Sequence, residues 1–381
     1  MANVVILGAG FGGLTVAQRL AGATDHHQVT LVDRRSKFMM GLAKLWILVG
    51  RREPVEGQRR LAQLRAGAVR FVKAEVEAID LENREVRTGA GRFGYDFLVV
   101  ALGAELAPEG VPGLPPEANL YDAARVPTLR DSLAGVSGGT VIVMVCGAPY
   151  KCPPAPFEAA MLVDGLLRER RVREQVDLGV TIPDAEPMPV AGPAAGRLVR
   201  ATLAQRGISL RSLAQPAGVD AAARRVTFVD GSTLDYDLLL AVPPHRAPRV
   251  VEEAGLVDST GWVPVDRSSL ATGHQRVFAI GDVCAVRLPA GGMLPKAGVM
   301  AESQGEVVAA NLLEALDGRA GREEFDGRGE CFFELGDGRA VQMEGHFFRH
   351  AADRVDAGLP SAEALAAKER FERERLERWF G

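Results

Sequence analysis

Short, unbroken apolar runs that stop at a glycine recur through this chain. Val4-Val5-Ile6-Leu7 ends at Gly8, Phe97-Leu98-Val99-Val100-Ala101-Leu102 at Gly103, and Val277-Phe278-Ala279-Ile280 at Gly281. A run of this length without polar alternation predicts a strand covered on both faces, as in a parallel sheet packed between helices. After the first run the period becomes helical, with Leu14, Val16, Ala17 and Leu20 sharing a face, and a second strand is expected from Gln28 to Val32. Lys296-Ala297-Gly298 introduces another helical pattern through Glu302, Val307, Val308 and Leu312. Ser361 to Phe380 reads as a final helix with Leu376, Trp379 and Phe380 at i, i+3 and i+4.

The first strand-to-helix turn carries candidate chemistry. Gly8-Ala9-Gly10-Phe11-Gly12-Gly13 satisfies G-x-G-x-x-G, and Asp33 closes the second strand twenty residues beyond Gly13. Glycines at these positions let backbone amides reach a pyrophosphate at the helix N-terminus, while the acid takes a ribose hydroxyl. Strand, turn, helix, second strand and acid together predict a dinucleotide site, with Arg34 and Val76 as further candidate contacts.

The chain then repeats itself. Val86 to Pro108 holds a hairpin, Tyr95-Asp96 and an apolar strand; Val226 to Pro248 holds an Asp230-Gly231 turn, Tyr236-Asp237, an apolar strand and Pro243-Pro244. The Tyr-Asp pairs lie 141 residues apart, and Val141 to Gly147 answers Val4 to Gly8 at nearly the same offset. The expected fold class is α/β: two Rossmann-like dinucleotide-binding domains, the second inserted in the first, plus a small C-terminal α+β domain. Residues 1–105 and 240–315 are expected to form the first domain, 106–239 the second and 316–381 the last. The second turn reads Cys146-Gly147-Ala148-Pro149-Tyr150-Lys151-Cys152-Pro153-Pro154. Its prolines remove backbone donors and a single glycine remains, so nicotinamide binding is disfavoured there.

Composition narrows the classes further. A chain of 381 residues has room for several domains, and a net charge of −4 offers no global field for nucleic acid. Four cysteines are too few for a secreted disulfide scaffold and point to redox chemistry. The C-x5-C spacing is not a usual zinc pattern and the six histidines do not cluster, so no metal is expected. No apolar run is long enough to span a bilayer and no leader pattern opens the chain, so a cytoplasmic location is expected. Contact with the inner face of the membrane, through Leu376, Trp379 and Phe380 or through Gly41 to Val49, is the one alternative, and homo-oligomerisation is left open.

Taken together, these landmarks resemble the flavoproteins with two dinucleotide-binding domains. That resemblance implies FAD approached by Gly281 and Asp282, with Ala101, Leu102, Gly103, Lys296, Ala297 and Gly298 lining the same cofactor. Cys152-Pro153-Pro154-Ala155-Pro156-Phe157-Glu158, Pro243 to Pro248, Leu294 to Ala301 and the isolated Cys331 narrow it. They resemble the sulfide:quinone oxidoreductase and flavocytochrome c sulfide dehydrogenase family. The family likeness implies a redox-active disulfide between Cys152 and Cys331 beside the flavin. It would take sulfur from sulfide and pass two electrons through FAD to a quinone or cytochrome acceptor. It implies a proton-moving role for Glu158, which could instead be a solvated acid at a helix start. Lys151, next to Cys152, is expected to favour the thiolate. Lys37 to Leu42 lacks the cysteine that tethers FAD in flavocytochrome subunits, so non-covalent FAD is expected. An NADH:quinone oxidoreductase of the same fold, a subunit partnering a c-type cytochrome and a non-enzymatic flavin-bound protein are the alternatives.

Overall fold

Val4, Val5, Ile6 and Leu7 are buried because β1 (Asn3–Leu7) lies at the centre of a parallel sheet in the computed structural model, which describes residues 1–23, 25–67 and 69–381. Helix α1 (Phe11–Leu20) follows and buries Leu14, Val16, Ala17 and Leu20. Strand β2 (Gln28–Asp33) pairs with one side of β1, and β3 (Arg70–Lys73) extends the sheet beyond β2. An antiparallel ribbon, Lys37–Met39 with Gln58–Arg60, brackets helix α2 (Gly41–Leu48). A three-stranded antiparallel layer, Val76–Asp80, Glu85–Thr88 and Gly91–Gly94, leads to β4 (Phe97–Val100) on the other side of β1.

The second sheet repeats this construction at the level of single atoms. It contains β5 (Gly139–Val145), followed by helix α3 (Ala155–Glu169), then β6 (Val176–Thr181), β7 (Ser209–Arg211) and β8 (Leu238–Val242), in the order β7-β6-β5-β8. In the first copy the Asp96 amide donates to the Asn3 carbonyl while the Asn3 amide donates to Asp96 Oδ2, both at 2.8 Å. In the second copy Asp237 and Thr140 make the same reciprocal pair at 2.8 Å. Strand β8 pairs with β5 as far as Val242, so the second sheet runs past residue 239, the boundary expected from the sequence.

Strand β9 (Val277–Ala279) returns beside β4, giving the order β9-β4-β1-β2-β3. Helix α4 (Gly298–Leu316) starts at the last residue of Lys296-Ala297-Gly298, with the extended Ala297 as its N-cap. It packs closely on α1 through paired glycines: a Cβ on Gly305 would sit 2.8 Å from the Gly12 carbonyl oxygen. The chain ends with antiparallel β10 (Arg328–Glu334), β11 (Ala340–His346) and β12 (Val355–Ala357), then helix α5 (Ala362–Phe380). The Ser361 hydroxyl caps α5 by accepting the Ala364 amide at 3.0 Å.

The apolar end of α5 faces inward and docks on the protein. Trp379 is fully buried, edge-to-face with Phe11 and Phe38 at 5.4 Å each, and Phe380 stacks on Phe38 at 6.0 Å. In α2, Leu45, Trp46, Ile47 and Leu48 are buried as well. Phe332, Phe333 and Phe347 likewise serve core packing. No helix among the described residues is long and apolar enough to cross a membrane.

Candidate active site

The glycine turn forms a cradle whose shape depends on missing Cβ atoms. Gly8 is left-handed at φ +101°, and a side chain there would strike the Ala101 carbonyl at the end of β4. A Cβ on Gly13 would fall on the Gly8 carbonyl oxygen, whereas one on Gly10 meets nothing within 4 Å. The cradle therefore closes on itself at Gly8 and Gly13 and opens at Gly10. Neither α1 nor α4 has a side-chain cap, so both helix N-termini keep donors for anionic oxygens. Ala101, Leu102 and Gly103 lie at the end of β4, and Gly281 and Asp282 at the end of β9. Asp282 Oδ1 is buried without a partner. An orphaned buried acceptor costs about 1–3 kcal/mol, which a ligand hydroxyl would relieve. Cradle, free helix ends and orphaned acceptor fit a dinucleotide. Gly13→Ala should leave a protein that binds dinucleotide at most about a tenth as well as the wild type, because the added methyl displaces the turn; the ratio of bound-nucleotide to protein absorbance measures this.

Asp33 ends β2 beside the glycine turn. Its Oδ2 accepts the Ala9 amide at 2.7 Å, and Arg35 wraps around it, with Nε 3.0 Å from Oδ1 and Nη2 2.7 Å from Oδ2. Burial opposes the charge of Asp33, yet the hydrogen bonds and charge of Arg35 hold its carboxyl below the usual range. Arg34 points away and pairs with Glu75 at 3.2 Å on the surface, so Arg35 and not Arg34 faces the site. Val76 begins its strand half-buried, just past the end of β3.

The turn after β5 presents Cys152. This residue is left-handed at φ +55°, a conformation that costs a non-glycine residue of order 1 kcal/mol. Three elements hold it there. The Cys152 amide donates to the Lys296 carbonyl at 2.7 Å, its carbonyl accepts the Ala155 amide at 2.9 Å, and Tyr121 Oη donates to the carbonyls of Lys151 and Cys152 at 3.0 and 3.3 Å. Cys152 is exposed at the surface of its turn. Cys331, on β10, lies close enough that a Cys152 thiolate raises its pKa. All four cysteines are free thiols.

Beside this pair lies a buried polar network absent from the expectations. Glu158, in the first turn of α3, accepts Lys368 Nζ at 2.5 Å on Oε1 and the Glu334 amide at 3.2 Å on Oε2. Lys368 Nζ also reaches Glu334 Oε2 at 2.8 Å, and Glu334 accepts Trp46 Nε1 at 2.8 Å and Arg51 Nη1 at 2.6 Å. Glu158 is thus not a solvated acid. Burial raises its pKa although Lys368 opposes the rise. Burial also works against the Lys368 ammonium, but the two carboxylates outweigh it and hold the charge.

Lys151 has its pKa lowered by burial, while a Cys152 thiolate raises it. Burial, with the Glu158 charge adding to it, pushes the Cys152 thiol up to about 12, and the cations that counter this are Lys368 and Lys44. Lys44, on α2, donates to the Tyr121 carbonyl at 2.8 Å, and burial lowers its amine to about 7. Lys296 turns its amine to the Asp282 carbonyl at 2.6 Å and over the Trp262 ring at 3.3 Å, bracing the Asp282 turn against the Cys152 loop. Lys44, Tyr121, Glu334 and Lys368 all escaped the sequence reading. A signal existed for the lysines: the chain has only six, and Lys44, Lys151, Lys296 and Lys368 meet here. Cys146 and Cys284 are buried, with thiols pushed up to about 12 by burial, and take no part in the pair. Among the described residues no group of histidine, cysteine and acid side chains is arranged to hold a metal.

In the second turn a Cβ on Gly147 would touch the Pro244 ring at 3.5 Å, and Pro154 opens α3. The close approach available at Gly10 has no counterpart there.

Comparison with known proteins agrees with this architecture. The pyridine nucleotide-disulphide oxidoreductase family matches residues 2–305. A mitochondrial sulfide:quinone oxidoreductase of Dictyostelium discoideum is 27% identical over 94% of this chain and 80% of its own length. A type II NADH:quinone oxidoreductase of Staphylococcus aureus is 25% identical over 85% of each. The crystal structure of the sulfide:quinone oxidoreductase of Aquifex aeolicus superposes with a TM-score of 0.86 at 22% identity, covering 99% of this chain and 91% of that one.

Proposed function

The chain belongs to the pyridine nucleotide-disulphide oxidoreductase family, and from that membership we propose that it oxidises sulfide through Cys152 and Cys331, passing the electrons by way of non-covalent FAD to a quinone. The observation that supports this reading is that two cysteines 179 residues apart, one on a strained loop and one on β10, lie within electrostatic reach of each other and of the buried Glu158. The named relatives that act on sulfide and quinone support it.

In the working state the two thiols are oxidised to a disulfide. Hydrosulfide attacks one sulfur of the pair; the S–S bond breaks, leaving a persulfide that keeps the proton on that cysteine and a thiolate on the other. Glu158 takes the persulfide proton, a role its raised pKa supports. Lys44 and Lys368 face the thiolate and stabilise its charge. Gly8, Gly10, Gly13 and the α1 N-terminus would hold the pyrophosphate of FAD, Asp33 a ribose hydroxyl and Asp282 a ribityl hydroxyl. A second hydrosulfide takes the outer sulfur from the persulfide as a hydrodisulfide anion and leaves both cysteines as thiolates. Bound there, FAD would supply a two-electron acceptor for reoxidising the thiolate pair to the disulfide and a donor for reducing the quinone, which takes up two protons.

The Staphylococcus relative favours NADH as a rival donor, and one anaerobic titration separates the two. Sulfide should bleach the flavin absorbance within the mixing time, and NADH should bleach it at least about a hundredfold more slowly, as the second turn lacks the glycines for pyrophosphate. Faster bleaching by NADH would replace this reading with the NADH one.

A further inference from the structure

The lysines that meet at the Cys152 turn are not held alike. Lys368 lies between the carboxylates of Glu158 and Glu334, which hold its charge against burial. Lys44 has no carboxylate within ion-pair distance among the described residues. It is half-buried on α2; its amine donates to the Tyr121 carbonyl at 2.8 Å and stands 5.4 Å from the centre of the Tyr121 ring. The hydroxyl of this tyrosine holds the Lys151 and Cys152 carbonyls, so one residue ties the amine to the loop that presents the sulfur. A carbonyl and a ring face offer only partial charges, and an ammonium withdrawn from water needs more than these to stay protonated.

The charges facing Lys44 come from three other segments. Lys151 and Cys152 belong to the turn after β5, Asp122 follows Tyr121, and Arg35 follows β2. Burial lowers the amine to about 7, Lys151 and Arg35 add to the fall, and a Cys152 thiolate and Asp122 oppose it. His245, edge-to-face with Tyr121 at 5.6 Å, brings no charge, because burial and the lysines around it push its imidazole down to about 3. Glu158 and Lys368 act on the Cys152 sulfur from α3 and α5. Reduction of the pair changes the charge on Cys152 itself: a disulfide sulfur is neutral and a thiolate is not. Lys44 therefore meets one more negative charge once the S–S bond has broken.

We infer that Lys44 is a conditional cation, charged when Cys152 leaves as a thiolate and discharged when the disulfide closes, and that the loss of its charge sets the alkaline limit of sulfur transfer. The inference rests on the cysteine-pair reading above and deepens it. Hydrosulfide attacks Cys331, the S–S bond breaks, and its electron pair stays on Cys152, facing the ammonium. Where the amine was neutral, one proton enters it from water. Reoxidation of the two thiolates to the disulfide removes the anion, and that proton returns to water. The charge is complete well below pH 7 and is lost as the pH rises through and beyond that value.

The test follows flavin bleaching by excess sulfide, in stopped flow from about pH 6 to 10, in the flavin-loaded wild type, Lys44→Arg and Lys44→Met. The wild-type rate should fall about tenfold on the alkaline side, equivalent to one unit in the pKa of the leaving thiol. A guanidinium keeps its charge throughout, so Lys44→Arg should lose that limb. Lys44→Met should be about tenfold slow near pH 6 and should meet the wild type at high pH. A lysine with a purely structural role would leave the limb where it is. A wild type without the limb, or one whose limb persists in Lys44→Arg, overturns the proposal. Alkylation of the reduced protein by iodoacetamide, read on the peptide carrying Cys152, gives a second measure that needs no flavin. Near pH 6 it should be about tenfold slower in Lys44→Met than in the wild type, and equal rates overturn the proposal. If sulfide bleaches all three proteins with one profile, only the role of Lys44 fails. If it does not bleach the wild type at any pH, the functional reading fails, and alkylation still decides whether Lys44 governs Cys152.

Discussion

In Cys152→Ser, anaerobic sulfide should leave the flavin oxidised while dithionite still bleaches it. The serine hydroxyl cannot form the mixed disulfide on which sulfur transfer depends, so a loss of at least about a thousandfold in the rate of flavin reduction is expected, on the scale of removing the attacking group in other enzymes. Cys331→Ser should lose as much, and the double variant little more, because the two sulfurs act as one unit. Cys146→Ser, far from the pair in the core of the second sheet, should reduce at the wild-type rate. Stopped-flow absorbance measures all four. Wild-type bleaching in either single variant of the pair would end the disulfide proposal.

Lys368→Met should both weaken the fold and move the pH profile. The substitution removes the ammonium between Glu158 and Glu334 and leaves two carboxylates in the interior, a loss on the order of 3–5 kcal/mol in denaturant unfolding. The double variant Glu158→Gln/Lys368→Met should recover part of that stability, since one buried charge has gone, but none of the sulfide activity. The fold raises the pKa of Glu158, so its ionisation lowers stability as pH rises from the ordinary glutamate range through the raised value. Lys368, also raised, supports the fold until pH passes its own elevated value. The rate of sulfide oxidation needs ionised Glu158, so it falls on the acid side. Without the neighbouring ammonium that limb moves to higher pH. A variant whose profile is unmoved would reduce Lys368 to a purely structural tie.

The parts of the molecule that the sequence revealed are those fixed by local geometry. A glycine turn that collapses on any added Cβ, as at Gly8 and Gly13, leaves its mark in the order of residues, and so does a reciprocal pair such as Asp96 with Asn3 that recurs as Asp237 with Thr140. Rarity drew attention to four cysteines, and only the family likeness singled out Cys152 and Cys331. The orientation of α5 was not, because Leu376, Trp379 and Phe380 have the same spacing whether they meet lipid or Phe38. Arg34 and Arg35 differ only in which side of the strand end they leave. Lys368 sits among alternating charges that look like any solvated helix face, and only the tertiary meeting with Glu158 gives it a purpose.

Helix α5 closes two places at once: Trp379 lies against Phe11 at the glycine turn, and Lys368 lies against Glu158 beside the cysteines. During synthesis these residues leave the ribosome after every other element of the site. The nascent chain can build both sheets beforehand, but the surroundings of Glu158 and Phe11 stay open until α5 has emerged and docked. Ribosome-bound chains stalled before residue 362 should accordingly carry cysteines that alkylate freely and no sulfide-reducible flavin.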